Sequence, residues 1–111
     1  MKRYDKGRRF EYKVKHLFEK HGWTCVRAAS SKPIDLVCFK GLPLDTKILV
    51  IECKSNWKEY LNEYMKLAEK SKKFGVPILL VYQNKTGLSA FRIEPRYYLK
   101  INLKTVLREG F

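Results

Sequence analysis

Residues 33–54 read PIDLVCFKGLPLDTKILVIECK, and the pattern of this stretch decides the architecture. Two apolar, β-branched runs, IDLVCFK at 34–40 and KILVIECK at 47–54, flank GLPLDT at 41–46, whose glycine and proline mark a turn. The stretch therefore reads as a β-hairpin. With the turn centred between Pro43 and Leu44, Val37 faces Val50, Phe39 faces Ile48, and Asp35 faces Glu52. A slip by one residue would send the two carboxylates to opposite faces of the sheet. The apolar pairs favour the unslipped register.

Glu52 and Lys54 interrupt an otherwise apolar strand. Residues two apart on a strand project from one face, so this glutamate and lysine are neighbours. Cross-strand partners have Cβ atoms about 5 Å apart. The hairpin therefore gathers two carboxylates and one ammonium at one end. Like charges at that separation are unfavourable unless something neutralises them. A divalent cation does so, and a small set of hard oxygen ligands suits Mg²⁺, which keeps its waters and takes phosphate oxygens. The lysine can then orient or deprotonate a water, or stabilise developing charge on a phosphate.

Upstream, Phe10, Val14, Leu17 and Phe18 form one apolar stripe, which predicts a helix over 5–21 with Asp5 as N-cap and Gly22 as stop. WTCVRA at 23–28 reads as a strand, and Ser30, Ser31, Lys32 and Pro33 as a polar break. Downstream, 58–74 reads as a helix ended by Gly75 and Pro77, with Leu61, Tyr64, Met65, Ala68 and Leu67 inward and Lys58, Glu59, Glu63, Lys66 and Lys70 outward. PILLVYQ at 77–83 is a near-continuous apolar strand of the kind buried on both faces. NKTG is a turn, LSAFRI at 88–93 a further strand, and residues 95–111 carry no decisive pattern. The order α-β-β-β-α-β-β argues for an α/β fold, a mixed central sheet flanked by helices on both sides, in one domain spanning 1–111.

The 111 residues carry 24 Lys plus Arg against 11 Asp plus Glu, a net charge of +13. With 45% apolar and 14% aromatic residues, the chain can build a core and is not disordered by composition. Strong basicity spread along a folded domain points first to nucleic acid and only secondly to an acidic membrane surface. No apolar run is long enough for a membrane span, and the opening MKRYDKGRRF lacks the apolar stretch of a secretory leader. Cys25, Cys38 and Cys53 have neither zinc spacing nor an even count. They are expected to be buried, reduced thiols in a cytoplasmic protein.

Pro33-Ile34-Asp35 and, after sixteen intervening residues, Glu52-Cys53-Lys54 resemble the PD-(D/E)xK motif of metal-dependent nucleases. Within that superfamily the chain is most similar to archaeal-type Holliday junction resolvases. The likeness is carried by the opening KGRRFEYKVKHLFEKHGW, by Arg27, by the Ser30-Ser31 break, by the PID and IECKS segments, and by Phe74-Gly75 before an apolar strand. It covers residues 6–83.

The resemblance implies a restriction-endonuclease-like fold and a homodimer that nicks four-way DNA junctions symmetrically with Mg²⁺, for which Mn²⁺ substitutes. The implied processes are DNA recombination and repair, with no small-molecule cofactor and no membrane partner. Glu11, Asp35 and Glu52 would ligate the metal, and Lys54 would assist the attacking water. Ser30 or Ser31 would match the family's loop serine, Ser30 being placed with the catalytic group and Ser31 with the DNA contacts. Lys6, Arg8, Arg9, Arg27 and Lys32 would complete the DNA-binding set.

Blander readings stand beside these. Asp35 alone can be a strand-start residue, Glu52 with Lys54 a same-face ion pair, and Arg27 a solvated strand residue. His16 and His21 read as surface or capping groups. Trp57, Tyr60 and Tyr64 read as core or dimer-seam residues, with the 58–74 helix as the dimer surface. Tyr97 and Tyr98, beside Arg96 and Lys100, either stack on bases or serve structurally. The competing functions are another nuclease of the same superfamily, such as a nickase or repair endonuclease, and a non-catalytic basic nucleic-acid-binding module.

Overall fold

The computed structural model describes residues 3–28, 34–56 and 61–111. Its elements are α1 (Arg3–Lys20), β1 (Thr24–Arg27), β2 (Leu36–Leu42), β3 (Asp45–Lys54), α2 (Leu61–Phe74), β4 (Ile78–Asn84), β5 (Gly87–Ile93), β6 (Tyr98–Ile101) and α3 (Leu103–Glu109). The strands lie in one sheet in chain order, β1 to β6. Neighbours are antiparallel except β3 and β4, which run parallel. A parallel pair needs a crossover, and α2 supplies it.

The β2–β3 hairpin has the expected register, with Val37 opposite Val50, Phe39 opposite Ile48 and Leu42 opposite Asp45. Its strands run closer to the turn than the apolar runs suggested, leaving Pro43 and Leu44 as a two-residue connection. Gly41 is required there: its φ is 116°, and a Cβ on it would collide with the Asp45 carbonyl.

Each face of the sheet has its own core. On one, Phe10, Val14 and Phe18 of α1 and Val106 and Leu107 of α3 cover Leu36, Cys38, Leu49, Ile51, Leu79 and Val81. On the other, Tyr64 and Leu67 of α2 cover Val50, Ile78, Leu80, Tyr82, Phe91 and Ile93. The β4 residues Ile78 to Val81 are fully buried, as a strand covered on both faces must be.

Several expectations are corrected. Helix α1 begins at Arg3, so Asp5 lies inside its first turn rather than capping it. Its end is as expected: Gly22 adopts φ 90°, and its N–H donates to Glu19 O. Met65 is exposed, because the helical phase set by Tyr64, Leu67 and Ser71 turns it to solvent. The undecided C-terminal stretch supplies a sixth strand and a third helix. The Asn102 side chain caps α3 by accepting from the N–H groups of Lys104 and Thr105. Tyr98 stacks on Tyr64 with ring centroids 3.8 Å apart, a structural role in this fold. The start of the 58–74 helix, Trp57 and Tyr60 lie outside the described residues.

The cysteines also depart from expectation. Cys25 and Cys38 are direct cross-strand partners with Cα atoms 4.1 Å apart, and they form a disulfide. Spacing along the chain could not show that they face each other. Cys53 is buried and free, as expected.

Lys40 fastens the two helix ends that meet near Trp23. Its ammonium donates to His21 O at 2.8 Å and Arg108 O at 3.2 Å and lies 5.6 Å from the Trp23 ring. Trp23 Nε1 donates to Leu107 O at 2.7 Å. No helix among the described residues is long and apolar enough to cross a membrane.

Candidate active site

The site lies where β2 stops short of β3. The ladder between them ends at Leu36 opposite Ile51. Beyond that point the Asp35 side chain takes over, its Oδ2 accepting the Cys53 N–H at 2.7 Å. The Asp35 carbonyl in turn accepts the Ala28 N–H at 2.9 Å, which ties β1 to the same corner. Asp35 is thereby fixed from both sides and continues the hairpin register toward Glu52.

Glu52 projects to the α2 face. Its side chain is only 4% exposed, and its Oε1 accepts from Lys70 Nζ at 2.7 Å. Burial and then the neighbouring Asp35 charge push the Glu52 carboxyl up to about 7, against the pull of Lys70 and Lys54. This is the energetic trace of two carboxylates held together. Lys54, two residues on, is half-buried at the strand end.

Glu11 is on the other face. Helical phase turns it toward the sheet, and its Oε1 accepts from Arg27 Nε at 2.9 Å. The Arg27 guanidinium also lies 5.2 Å from the Tyr12 ring centroid. Burial first and then Asp35 raise the Glu11 carboxyl, while Arg27 and Arg8 oppose them. The Cys53 thiol is raised well above its ordinary value, by burial first and then by Asp35, Glu11 and Glu52. Asp35 is thus the shared electrostatic neighbour of carboxylates on both faces.

Among the described residues, no three His, Cys, Asp or Glu side chains gather into a metal cage. What the fold brings together is the Asp35–Glu52 corner, with Glu11 coupled to it and held by Arg27. Hard carboxylate oxygens in a mutually repelling pair fit a hydrated Mg²⁺-type ion, which needs few protein ligands.

Arg8 and Arg9 are exposed on the first turns of α1. Ser30, Ser31 and Lys32 lie outside the described residues, as does the Lys6 side chain. Lys70 was missed: the apolar pattern of α2 assigned it to the solvent side. It stands three residues from the buried Leu67, at the border of the covered face, and only the position of Glu52 beneath α2 reveals its partner.

Residues 2–106 match the model of the archaeal Holliday junction resolvase (Hjc) family. The crossover junction endodeoxyribonuclease Hjc of Methanocaldococcus jannaschii is 41% identical over 64 residues, 55% of this chain and 44% of that protein. The matched stretch thus spans less than half of that relative. The Hjc of Archaeoglobus fulgidus, a Holliday junction resolvase from an archaeal hyperthermophile, shares the fold at a TM-score of 0.59 with 21% identity, over 89% of this chain and 85% of that one. On the extent of the family match, the chain belongs to the archaeal Holliday junction resolvase family.

Proposed function

We propose that this chain is a structure-selective DNA endonuclease that resolves four-way junctions by paired, symmetric hydrolysis of phosphodiesters. The observation that carries the reading is the Asp35–Glu52 corner, built by the hairpin register and the Cys53 N–H, with Lys54 following on the same strand. Residues 1–111 act as one nuclease domain in the cytoplasm. Two opposed cuts need two sites, which a two-fold homodimer supplies. The net charge of +13 provides affinity through phosphates, and junction shape rather than base sequence provides selectivity.

Asp35 and Glu52 would hold a divalent cation, Mg²⁺ by donor chemistry with Mn²⁺ as substitute, and Glu11 would support them from α1. When bound, that ion supplies charge neutralisation at the scissile phosphate and a lowered pKa for water. The chain's own residues set the geometry. With Oδ2 committed to the Cys53 N–H, Asp35 offers its other oxygen in a fixed direction. Lys54 orients the attacking water and steadies charge on the phosphate as the sugar oxygen departs in line. Ser30 belongs with this catalytic group. Lys6, Arg8, Arg9, Arg27, Ser31 and Lys32 engage the DNA, Arg27 from its ion pair with Glu11.

The test is cleavage of a labelled four-way junction beside a linear duplex of the same sequence, with Mg²⁺, with EDTA and with Glu52→Gln. Paired nicks on the junction alone, lost with EDTA and in the variant, are expected. Equal cutting of both substrates would keep a nuclease and remove junction selectivity. Tight junction binding without cutting in any divalent metal would leave a basic binding module.

A further inference from the structure

We infer that Lys70 is the resident counter-ion of Glu52 and is displaced from it when the site takes up its divalent cation. The ammonium and the metal are then alternative partners of one carboxylate, and Lys70 sets how readily the site loads. This inference rests on the metal-dependent reading above.

The geometry makes the case. Glu52 is almost completely buried, and its Oε1 accepts from Lys70 Nζ at 2.7 Å. A carboxylate so placed needs a cation in the metal-free protein, and α2 delivers one. Helical phase fixes the delivery: Tyr64, Leu67 and Ser71 are buried, and Lys70 lies one turn from Leu67 at the margin of that stripe.

The Lys70 side chain is 34% exposed, so its head can leave for water while its stem stays on the protein. The other carboxylate pair of the site is built differently. Arg27 and Glu11 are 22% and 19% exposed, and the guanidinium is also flanked by the Tyr12 ring. Of the two, the Lys70–Glu52 pair is the one made to open. A divalent ion and an ammonium on the same oxygen repel each other strongly at such separations. One must go, and Lys70 has the route out.

The experiment measures Mn²⁺ binding directly, by electron paramagnetic resonance of the free ion, without DNA. Parent, Lys70→Met, Lys70→Gln, Lys70→Arg and Glu52→Gln proteins are titrated at about pH 8.5, where a carboxyl raised toward neutrality is ionised. Removing the competing charge is expected to tighten Mn²⁺ binding roughly three- to tenfold in both neutral variants. Lys70→Arg should stay near the parent, and Glu52→Gln should lose binding. Two neutral variants are used so that a folding defect in one leaves the other decisive. Unchanged or weaker binding in the neutral variants, with the parent binding normally, would overturn the role of Lys70 and leave the nuclease reading standing. No binding by the parent, or undiminished binding by Glu52→Gln, would overturn the metal site and this inference with it.

Discussion

Asp35 accepts the backbone N–H of Cys53 at 2.7 Å, so a side chain takes over where the β2–β3 ladder stops. On the proposed function, one carboxylate therefore serves both the fold and the chemistry. The two uses can be separated by substitution. Asp35→Ala leaves a part-buried N–H without its acceptor and should cost about 1–3 kcal/mol in urea unfolding. Asp35→Asn keeps an acceptor and removes a charge that burdens Glu11 and Glu52, so its stability should equal or exceed the parent's. Both should abolish junction cleavage. Equal stability losses in the two variants would show that the Cys53 contact is not what Asp35 contributes to the fold.

The raised Glu52 carboxyl makes stability depend on pH in a stated direction. Its folded value of about 7 stands above its ordinary value of 4.5, so the folded state holds the proton more tightly. The stabilisation is fully present below about pH 4.5 and is lost as pH rises through about 7. The size is on the order of 2–3 kcal/mol. Metal-free thermal melts from pH 5 to 8 should therefore show this fall in the parent, whereas Glu52→Gln should be flatter and more stable than the parent at about pH 8. Parallel pH profiles for the two proteins would refute the assignment.

Excess Mg²⁺ at about pH 8 should raise the melting temperature of the parent, because a ligand that binds only the folded state stabilises it by mass action. EDTA should reverse the shift, and Glu52→Gln should show little of it. A shift of the same size in Glu52→Gln would place the ion elsewhere.

The Cys25–Cys38 bridge joins residues separated by 13 positions, a closure worth about 3 kcal/mol by loop entropy. Denatured without reductant, the chain should expose one reactive thiol, Cys53, and after reduction three. Cys25→Ala combined with Cys38→Ala should be less stable by about 2–3 kcal/mol and indifferent to dithiothreitol, which should weaken the parent. Three reactive thiols before reduction would show the pair to be unbridged.

Lys40→Met should loosen the C-terminal ends of α1 and α3 together. It removes two carbonyl contacts and the ammonium beside Trp23, at a cost of about 1–2 kcal/mol. Cleavage at a temperature where the variant is folded should be unchanged, since Lys40 touches none of the site residues.

The hairpin and its carboxylate corner were legible because strand alternation has a period of two and the Pro43–Leu44 turn leaves one register that pairs Val37 with Val50 and Phe39 with Ile48. Glu11 was singled out by the resemblance to the resolvases, since on a helix full of charges nothing else marks it. Helical phase failed at α2, where Lys70 lies on the border between covered and open faces, and a wheel assigns no partner to a border residue. Residues 98–109 were unreadable because β6 has four residues and α3 seven, too short for periodicity to accumulate. The Cys25–Cys38 bond depends on the β1–β2 register, which no turn signal in the sequence specified.

Strand order that follows chain order bears on how the carboxylate corner comes into being. Every neighbouring pair in the sheet except β3–β4 is antiparallel, the arrangement that closes locally. The parallel pair waits on the α2 crossover. Closing such a loop is in general slower than closing a hairpin. That step also brings Leu80 beside Glu52 and Lys70 over it. Before it, Asp35 and Glu52 belong to a hairpin that α1 covers on one face while the α2 face stands open. On the proposed function, the site is complete only once β4 has paired with β3 and α2 has brought Lys70 to Glu52.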